Sequence, residues 1–154
     1  MFLFKSKESG VGKIPEVLWE HINTAFPANV CLIGMTLPDG FAQVTPKGST
    51  MVWDGDTLAY WDRGSGTTHD HVKGGTKVTV YFRKGELREA GILPAGGIAR
   101  FYGTATLHDE GPIREEVWTR MVQPEKDRDP DKLGRAVLIR IERAEDLRGQ
   151  ALTA

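Results

Sequence analysis

Residues 29–61 read NVCLIGMTLPDGFAQVTPKGSTMVWDGDTLAYW, and this stretch decides the fold. Apolar and polar residues alternate here with the period of β-strands, and two tripeptides interrupt the alternation, Pro38-Asp39-Gly40 and Asp54-Gly55-Asp56. Such tripeptides are typical of tight turns, because glycine and aspartate tolerate the backbone angles that turns require. The sequence therefore predicts two consecutive hairpins, with strands over 29–36 and 41–45 and over 49–53 and 57–61.

The rest of the chain adds helices at both sides of a strand-rich middle. Helices are predicted over 14–26 and 112–122, and further strands over 76–83, 98–108 and 135–143. The first helix would bury one face at helical spacing, formed by Ile14, Val17, Leu18, Ile22 and Phe26. Residues 64–73 are predicted as a polar loop that leads into a short helix, and the acidic run 125–131 as a solvated loop. Gly103 inside a strand indicates a bulge or a close backbone approach.

This order of elements predicts a mainly β protein, a small β-barrel with flanking helices, in one domain over residues 1–154. Charged residues make up 27%, apolar residues 40%, and the net charge is -1. That balance is ordinary for a globular chain and provides no field for nucleic acid. Residues 1–7 hold only a short apolar start, and no stretch has the roughly 18 apolar residues of a membrane span. The interpretation is a cytoplasmic protein with no membrane or nucleic-acid partner.

The single cysteine, Cys31, excludes an internal disulfide and favours a reducing compartment. Because it lies in an apolar strand, we interpret it as a structural residue with a raised pKa. His69, His71 and His108 could be imagined around a metal ion, but no further ligands are identifiable. No metal is therefore expected. Neither a Ser-His-Asp set nor a carboxylate pair can be recognised, so catalytic residues stay unknown.

Taken together, these segments resemble the pyridoxamine 5'-phosphate oxidase-like family of FMN-binding split barrels. The resemblance is carried by the early helix and by the two hairpins, with Gln43-Val44-Thr45-Pro46 after the first turn and Leu58-Ala59-Tyr60-Trp61 closing the second. It continues through the loop and short helix at 63–73, and through the strand and turn over 100–112. It implies a split β-barrel of the FMN-binding type, and a homodimer with two flavins at the subunit interface.

The resemblance also implies that the loop after the fourth strand holds the flavin phosphate. The candidate cofactor-binding residues are Gln43, Val44, Thr45, Trp61, Arg63, Ser65, Thr67, Thr68, His71 and Lys73. Thr68 departs from the family pattern, since it stands where members usually place a cation, so Arg63, Lys73 or Lys77 would have to compensate. Trp118, beside the buried face of the late helix, is either a packing residue or a dimer or ligand contact.

The leading functional hypothesis is an FMN-binding oxidoreductase that acts on an unidentified small-molecule substrate, with the flavin carrying the redox step. The alternative is a non-catalytic flavin- or haem-binding sensor or stress-related protein on the same fold. A third interpretation, a barrel that has lost its cofactor and serves as an interaction module, rests on Thr68. Pyridoxamine phosphate oxidase itself is not favoured, because no counterpart of its substrate-binding C-terminal segment is recognised after Arg143.

Overall fold

The fold was analysed in a computed structural model that describes residues 12–152. The segment 1–7, used above for the cytoplasmic interpretation, lies outside the described residues. The helices are α1 Glu16–Asn23, α2 Thr67–His71, α3 Glu86–Glu89, α4 Pro112–Arg120 and α5 Gln123–Lys126. The strands are β1 Cys31–Thr36, β2 Ala42–Lys47, β3 Met51–Asp54, β4 Thr57–Asp62, β5 Lys77–Arg83, β6 Ile98–His108 and β7 Arg135–Asp146. No helix within residues 12–152 is long and apolar enough to cross a bilayer.

All seven strands form one antiparallel sheet in the order β2-β1-β5-β6-β7-β4-β3. The two edge strands, β2 and β3, are nevertheless consecutive in the chain and are joined only by residues 48–50. A connection of this length spans at most about 14 Å. The sheet must therefore curl until its two edges meet, and Ser49 marks the seam, where the Trp61 backbone N–H donates to its Oγ at 2.9 Å.

Two apolar clusters lie on opposite sides of the sheet. The larger one fills the inside of the curled sheet and is sealed by α1, whose Leu18 and Ile22 are buried. The smaller one packs the outside of β4 and β7 under α4, with Trp61 and Val117 buried in it. In β1 and β5 burial alternates along the strand as the sequence does, whereas β4 lies between the two clusters and is buried on both faces.

Cys31 belongs to the inner cluster, and burial raises the pKa of its thiol to about 12. Its interpretation as a structural residue with a raised pKa is confirmed. The thiol stays protonated at neutral pH and behaves as a small apolar group.

The mainly β fold with flanking helices is confirmed, and β6 has the predicted bounds. The first helix is Glu16–Asn23 and not 14–26, and two further predictions were wrong in detail. Val17, predicted on the buried face of the first helix, is 56% exposed, because the buried face of α1 is narrower than predicted. The acidic run 125–131 is not simply solvated: Glu125 begins the run inside α5, and both Glu125 and Asp129 are buried.

Asp129 shows why that acidic run folds back onto the protein. Its carboxylate accepts hydrogen bonds from the Trp61 indole at 2.8 Å and from the backbone N–H groups of Leu133 and Gly134 at 3.0 and 2.9 Å. A buried carboxylate needs such donors in place of water. The segment before β7 is therefore anchored to the outer cluster.

The predicted irregularity at Gly103 is confirmed. The pairing between β6 and β7 shifts register between Tyr102 and Gly103. A Cβ atom at Gly103 would collide with the carbonyl oxygen of Arg140 on β7. The absence of a side chain at this position allows the two longest strands to approach closely.

Candidate functional site

The loop that follows β4 is held by a buried carboxylate at the end of that strand. Asp62 is only 1% exposed. It accepts hydrogen bonds from the Gly64 N–H at 3.0 Å and from Arg135 Nε at 3.0 Å, and it lies 2.8 Å from His69 Nδ1. Arg135 Nη2 also donates to the His69 carbonyl oxygen at 3.2 Å. One carboxylate and one guanidinium thus tie α2 to β4 and β7.

The electrostatics of this cluster favour the charged form of Asp62. Burial alone would raise the pKa of its carboxyl group, but the hydrogen bonds from Gly64 and His69 and the nearby charge of Arg135 hold that pKa below its usual value. The cluster therefore keeps an ionised Asp62 inside the protein at neutral pH.

Thr68 joins the same loop to the edge strand β2. Its Oγ1 lies 3.1 Å from Gln43 Oε1 and 3.1 Å from Thr45 Oγ1, and the residue is 7% exposed. Three of the candidate cofactor-binding residues are thereby brought together, although they come from segments more than twenty positions apart. The Thr68 hydroxyl points at β2 and not at solvent, so it helps to close the seam of the barrel.

The remaining candidates differ in where they lie. Four are exposed on the surface of the loop or just after it, namely Arg63, Ser65, Thr67 and Lys73. His71 Nδ1 lies 2.9 Å from the Thr67 carbonyl oxygen, so it must be the protonated ring nitrogen. Trp61 is not part of this group: it is 3% exposed in the outer cluster and contacts Trp118 edge to face, with ring centroids 5.0 Å apart.

The histidines do not converge on a metal. His69 is bound to Asp62, His71 to the Thr67 backbone, and His108 Nε2 lies 3.1 Å from Thr106 Oγ1. Within residues 12–152, no group of three or more His, Cys, Asp or Glu side chains is arranged to hold a metal ion.

A cavity of about 510 Å³ lies on the outer face of β1, β2, β5 and β6. It exists because Gly34, between Val44 on β2 and Thr79 on β5, has no side chain to fill the surface. Its apolar and aromatic lining comes from Leu32, Met35, Ala42, Val44, Tyr81 and Tyr102. At one end stand Lys77 and Glu142, paired at 2.7 Å. Phe41, which precedes the lining residue Ala42 in the chain, is 73% exposed.

Sequence reasoning missed Arg135, Asp62 and the cavity. Arg135 is separated from Asp62 by 73 positions, and nothing in the sequence indicates that pairing. Asp62 carried a weak signal, since a carboxylate directly after a fully buried strand must find donors. Gly34 inside a strand carried another, because a glycine there removes surface that a side chain would cover.

Several solved structures share this fold. A candidate pyridoxamine 5'-phosphate oxidase from Lactobacillus delbrueckii is 24% identical, with 81% of this chain and 90% of that chain covered and a TM-score of 0.58. HupZ from Group A Streptococcus is 22% identical, covering 88% and 97%, with a TM-score of 0.60. An FMN-binding protein from Syntrophomonas wolfei is 12% identical, covering 85% and 86%, with a TM-score of 0.58. The curled sheet is therefore a split β-barrel of the FMN-binding type.

The sequence itself identifies the family. The family model for pyridoxamine 5'-phosphate oxidase matches residues 18–148, which is most of the chain. The chain thus belongs to the pyridoxamine 5'-phosphate oxidase family. No protein with a curated description matches it.

Proposed function

We propose that this protein binds FMN at the seam of its barrel, as a single domain over residues 1–154, and acts as a flavin-dependent oxidoreductase on a small molecule. One observation carries the proposal: the Thr68 hydroxyl contacts both Gln43 and Thr45, so the candidate phosphate loop and the edge strand β2 form one continuous surface. Family membership and the FMN-binding relative with the same fold support the choice of cofactor.

The loop surface fits a phosphate group. Ser65 and Thr67 are exposed and offer hydroxyl donors, while Gly64 and Gly66 both have positive φ angles, which turns backbone groups outward without a Cβ in the way. A Cβ built at Gly64 or Gly66 meets no other atom within 4 Å, so there is open space in front of the loop. These are donors suited to phosphate oxygens.

The edge strand β2 fits the flavin ring. As the last strand of the sheet it has one row of backbone groups that pairs with no other strand within residues 12–152. Such groups can hydrogen bond the polar edge of an isoalloxazine ring, and Val44, 61% exposed, offers apolar surface beside them. The bound flavin would supply the hydride or electron transfer, while the protein orients it and excludes water.

The outer face of the sheet fits a second copy of the chain, so we propose a homodimer. The cavity over β1, β2, β5 and β6 is open and mainly apolar, and Val44 in its lining is 61% exposed. An exposed apolar patch with a polar rim is typical of a protein interface. Because this face adjoins β2, a partner bound there would also cover the flavin ring.

Titration of the purified protein with FMN and with riboflavin tests the cofactor assignment. We expect a flavin absorbance spectrum after purification or saturable FMN binding, with riboflavin weaker because it lacks the phosphate. Replacing Ser65 and Thr67 together by alanine should weaken FMN binding by about five- to hundredfold, since two hydrogen bonds of roughly 0.5–1.5 kcal/mol each are lost. Riboflavin binding should be unchanged.

The double substitution Thr104→Ser with Thr106→Ser, on β6, provides a control that leaves the loop intact. If the alanine pair weakens FMN and riboflavin equally, the loop is not the phosphate site. If neither flavin binds, the proposed cofactor is wrong. Oxidoreductase activity is tested separately, by bleaching of the bound flavin with NADH or NADPH, which also distinguishes an enzyme from a binding protein.

A further inference from the structure

Within residues 63–73 no lysine or arginine side chain is fixed, and Arg135 of β7, which donates to this loop, is paired with Asp62. Ser65 and Thr67 are neutral, and the Thr68 side chain is turned toward β2, where it is 7% exposed. Arg63 and Lys73 are exposed, and among the described residues neither side chain makes a hydrogen bond or an ion pair that would hold it over the loop. A phosphate monoester carries close to two negative charges above pH 7, so a charged donor is expected nearby.

Two imidazoles of this loop are fixed and can carry charge: His71 by the Thr67 carbonyl oxygen, and His69 by a buried carboxylate. His69 Nδ1 lies 2.8 Å from the Asp62 carboxylate, which can only accept, so Nδ1 carries a proton in either charge state. The other ring nitrogen, Nε2, makes no hydrogen bond within residues 12–152, and 27% of the side chain is exposed. Asp62 thus orients a partly exposed imidazole whose second nitrogen makes no hydrogen bond to the described residues.

The charged groups around His69 nearly balance one another. Asp62 on β4 is already compensated by Arg135 on β7, so the cluster is neutral while the imidazole is neutral. Protonation of His69 leaves one net positive charge. Asp109 lies 3.8 Å from Arg135 but is 73% exposed, and Lys47, near Asp62, is also close to Arg63 and to the acidic Glu125. Asp70 and His71 share α2 with His69. A bound phosphate would balance the added proton.

We propose that His69, oriented by Asp62, supplies the missing cation of the phosphate loop by taking up a proton when a flavin phosphate binds. The inference rests on the proposed function, because it assigns a role at the same site. The proton comes from solvent and ends on Nε2, which then donates to a phosphate oxygen. FMN affinity is therefore linked to pH, while riboflavin affinity is not.

Calorimetry of FMN binding tests this directly. The number of protons taken up is obtained from titrations at pH 8 in buffers of different ionisation enthalpy. We expect a value approaching one proton per FMN for the natural chain, and an affinity that falls by up to about tenfold per pH unit between pH 7.5 and 8.5, the limit for one linked proton. Riboflavin binding should show neither effect.

His69→Asn is the informative variant, since its side-chain amide can still donate to Asp62 but does not titrate. It should bind FMN with no proton uptake and little pH dependence. His21→Asn, on α1 beside Lys84, removes a histidine elsewhere and should retain the proton uptake of the natural chain. The proton count of the natural chain needs no variant, so a folding defect in His69→Asn would not obscure the answer.

The outcomes separate the two proposals. FMN binding by the natural chain without proton uptake overturns the role of His69 and leaves the cofactor assignment standing. Proton uptake that persists in His69→Asn, or that also accompanies riboflavin, overturns it as well. No saturable FMN binding between pH 6.5 and 8.5 overturns the proposed function, and this inference with it.

Discussion

Replacing Asp129 by asparagine should destabilise the protein strongly although it changes only one oxygen to an amide nitrogen. The carboxylate accepts three N–H hydrogen bonds, two at Oδ2 from Trp61 and Gly134 and one at Oδ1 from Leu133. An asparagine has one acceptor oxygen, so at least one buried donor would face the NH₂ group. An unsatisfied buried donor costs about 1–3 kcal/mol, and the remaining bonds lose their charge assistance.

We therefore expect Asp129→Asn to lower the free energy of unfolding by about 2–4 kcal/mol, and the Tm by roughly 5–15 °C for a chain of this size. Urea and thermal denaturation followed by tryptophan fluorescence measure both quantities. Asp127→Asn is the matched control. Asp127 belongs to the same acidic run but is exposed and accepts one hydrogen bond, from Gln123 at 2.8 Å, so its replacement should cost less than about 0.5 kcal/mol.

The effect should also depend on pH. Burial would raise the pKa of Asp129, but the hydrogen bonds from Trp61, Leu133 and Gly134 and the charge of Arg114 hold it below its usual value. A carboxyl group with a lowered folded-state pKa stabilises the protein above its unfolded pKa of about 3.9 and loses that contribution as the pH falls through the folded value. The difference between Asp129→Asn and the natural chain should therefore shrink below about pH 4. Equal stability of the Asp129 and Asp127 variants at pH 7 would refute the reasoning.

Two further changes test the core and the outer face. Cys31→Ser should cost about 1–3 kcal/mol in urea denaturation, because it buries a hydroxyl in an apolar cluster, and should leave flavin binding intact; a loss of binding at unchanged stability would mean that Cys31 has a role in the site. Gly34→Leu should fill the cavity and convert the proposed dimer to monomer in light scattering at micromolar concentration, whereas Gly34→Ala, whose Cβ meets its nearest atoms at 3.6–4.0 Å, should stay dimeric. A dimer that tolerates leucine at this position would place the interface elsewhere.

The parts of the fold that could be predicted are those governed by local patterns. The alternation of apolar and polar residues, together with the turn residues, predicted both hairpins and the bounds of β6. This was possible because each strand has one face toward an apolar cluster. Helices α3 and α5 were not predicted, because each is only four residues long and too short to show a helical repeat of apolar residues. The burial of Asp129 could not be seen either, since its partner Trp61 lies 68 positions away.

The candidate site divides in the same way. The family resemblance identified the loop and β2, and the contact of Thr68 with Gln43 and Thr45 brings these together. The resemblance did not predict the contacts of His69 and Arg135 with Asp62, because these contacts depend on a buried, ionised carboxylate and not on a motif. Trp61 illustrates the opposite case: it lies within a matching segment, but strand alternation turns its ring to the outer cluster.

The missing side chain at Gly103 also determines how β6 and β7 align. A slip of one residue in either direction would bring Tyr102 or Thr104 to the point where β7 approaches most closely, and a Cβ there would collide with the Arg140 carbonyl. The same slip would exchange the buried and exposed faces of the strand. A single glycine therefore fixes the pairing register of the two longest strands. Because β5 pairs with β6 and β4 with β7, it also fixes how these neighbouring strands are placed around the barrel.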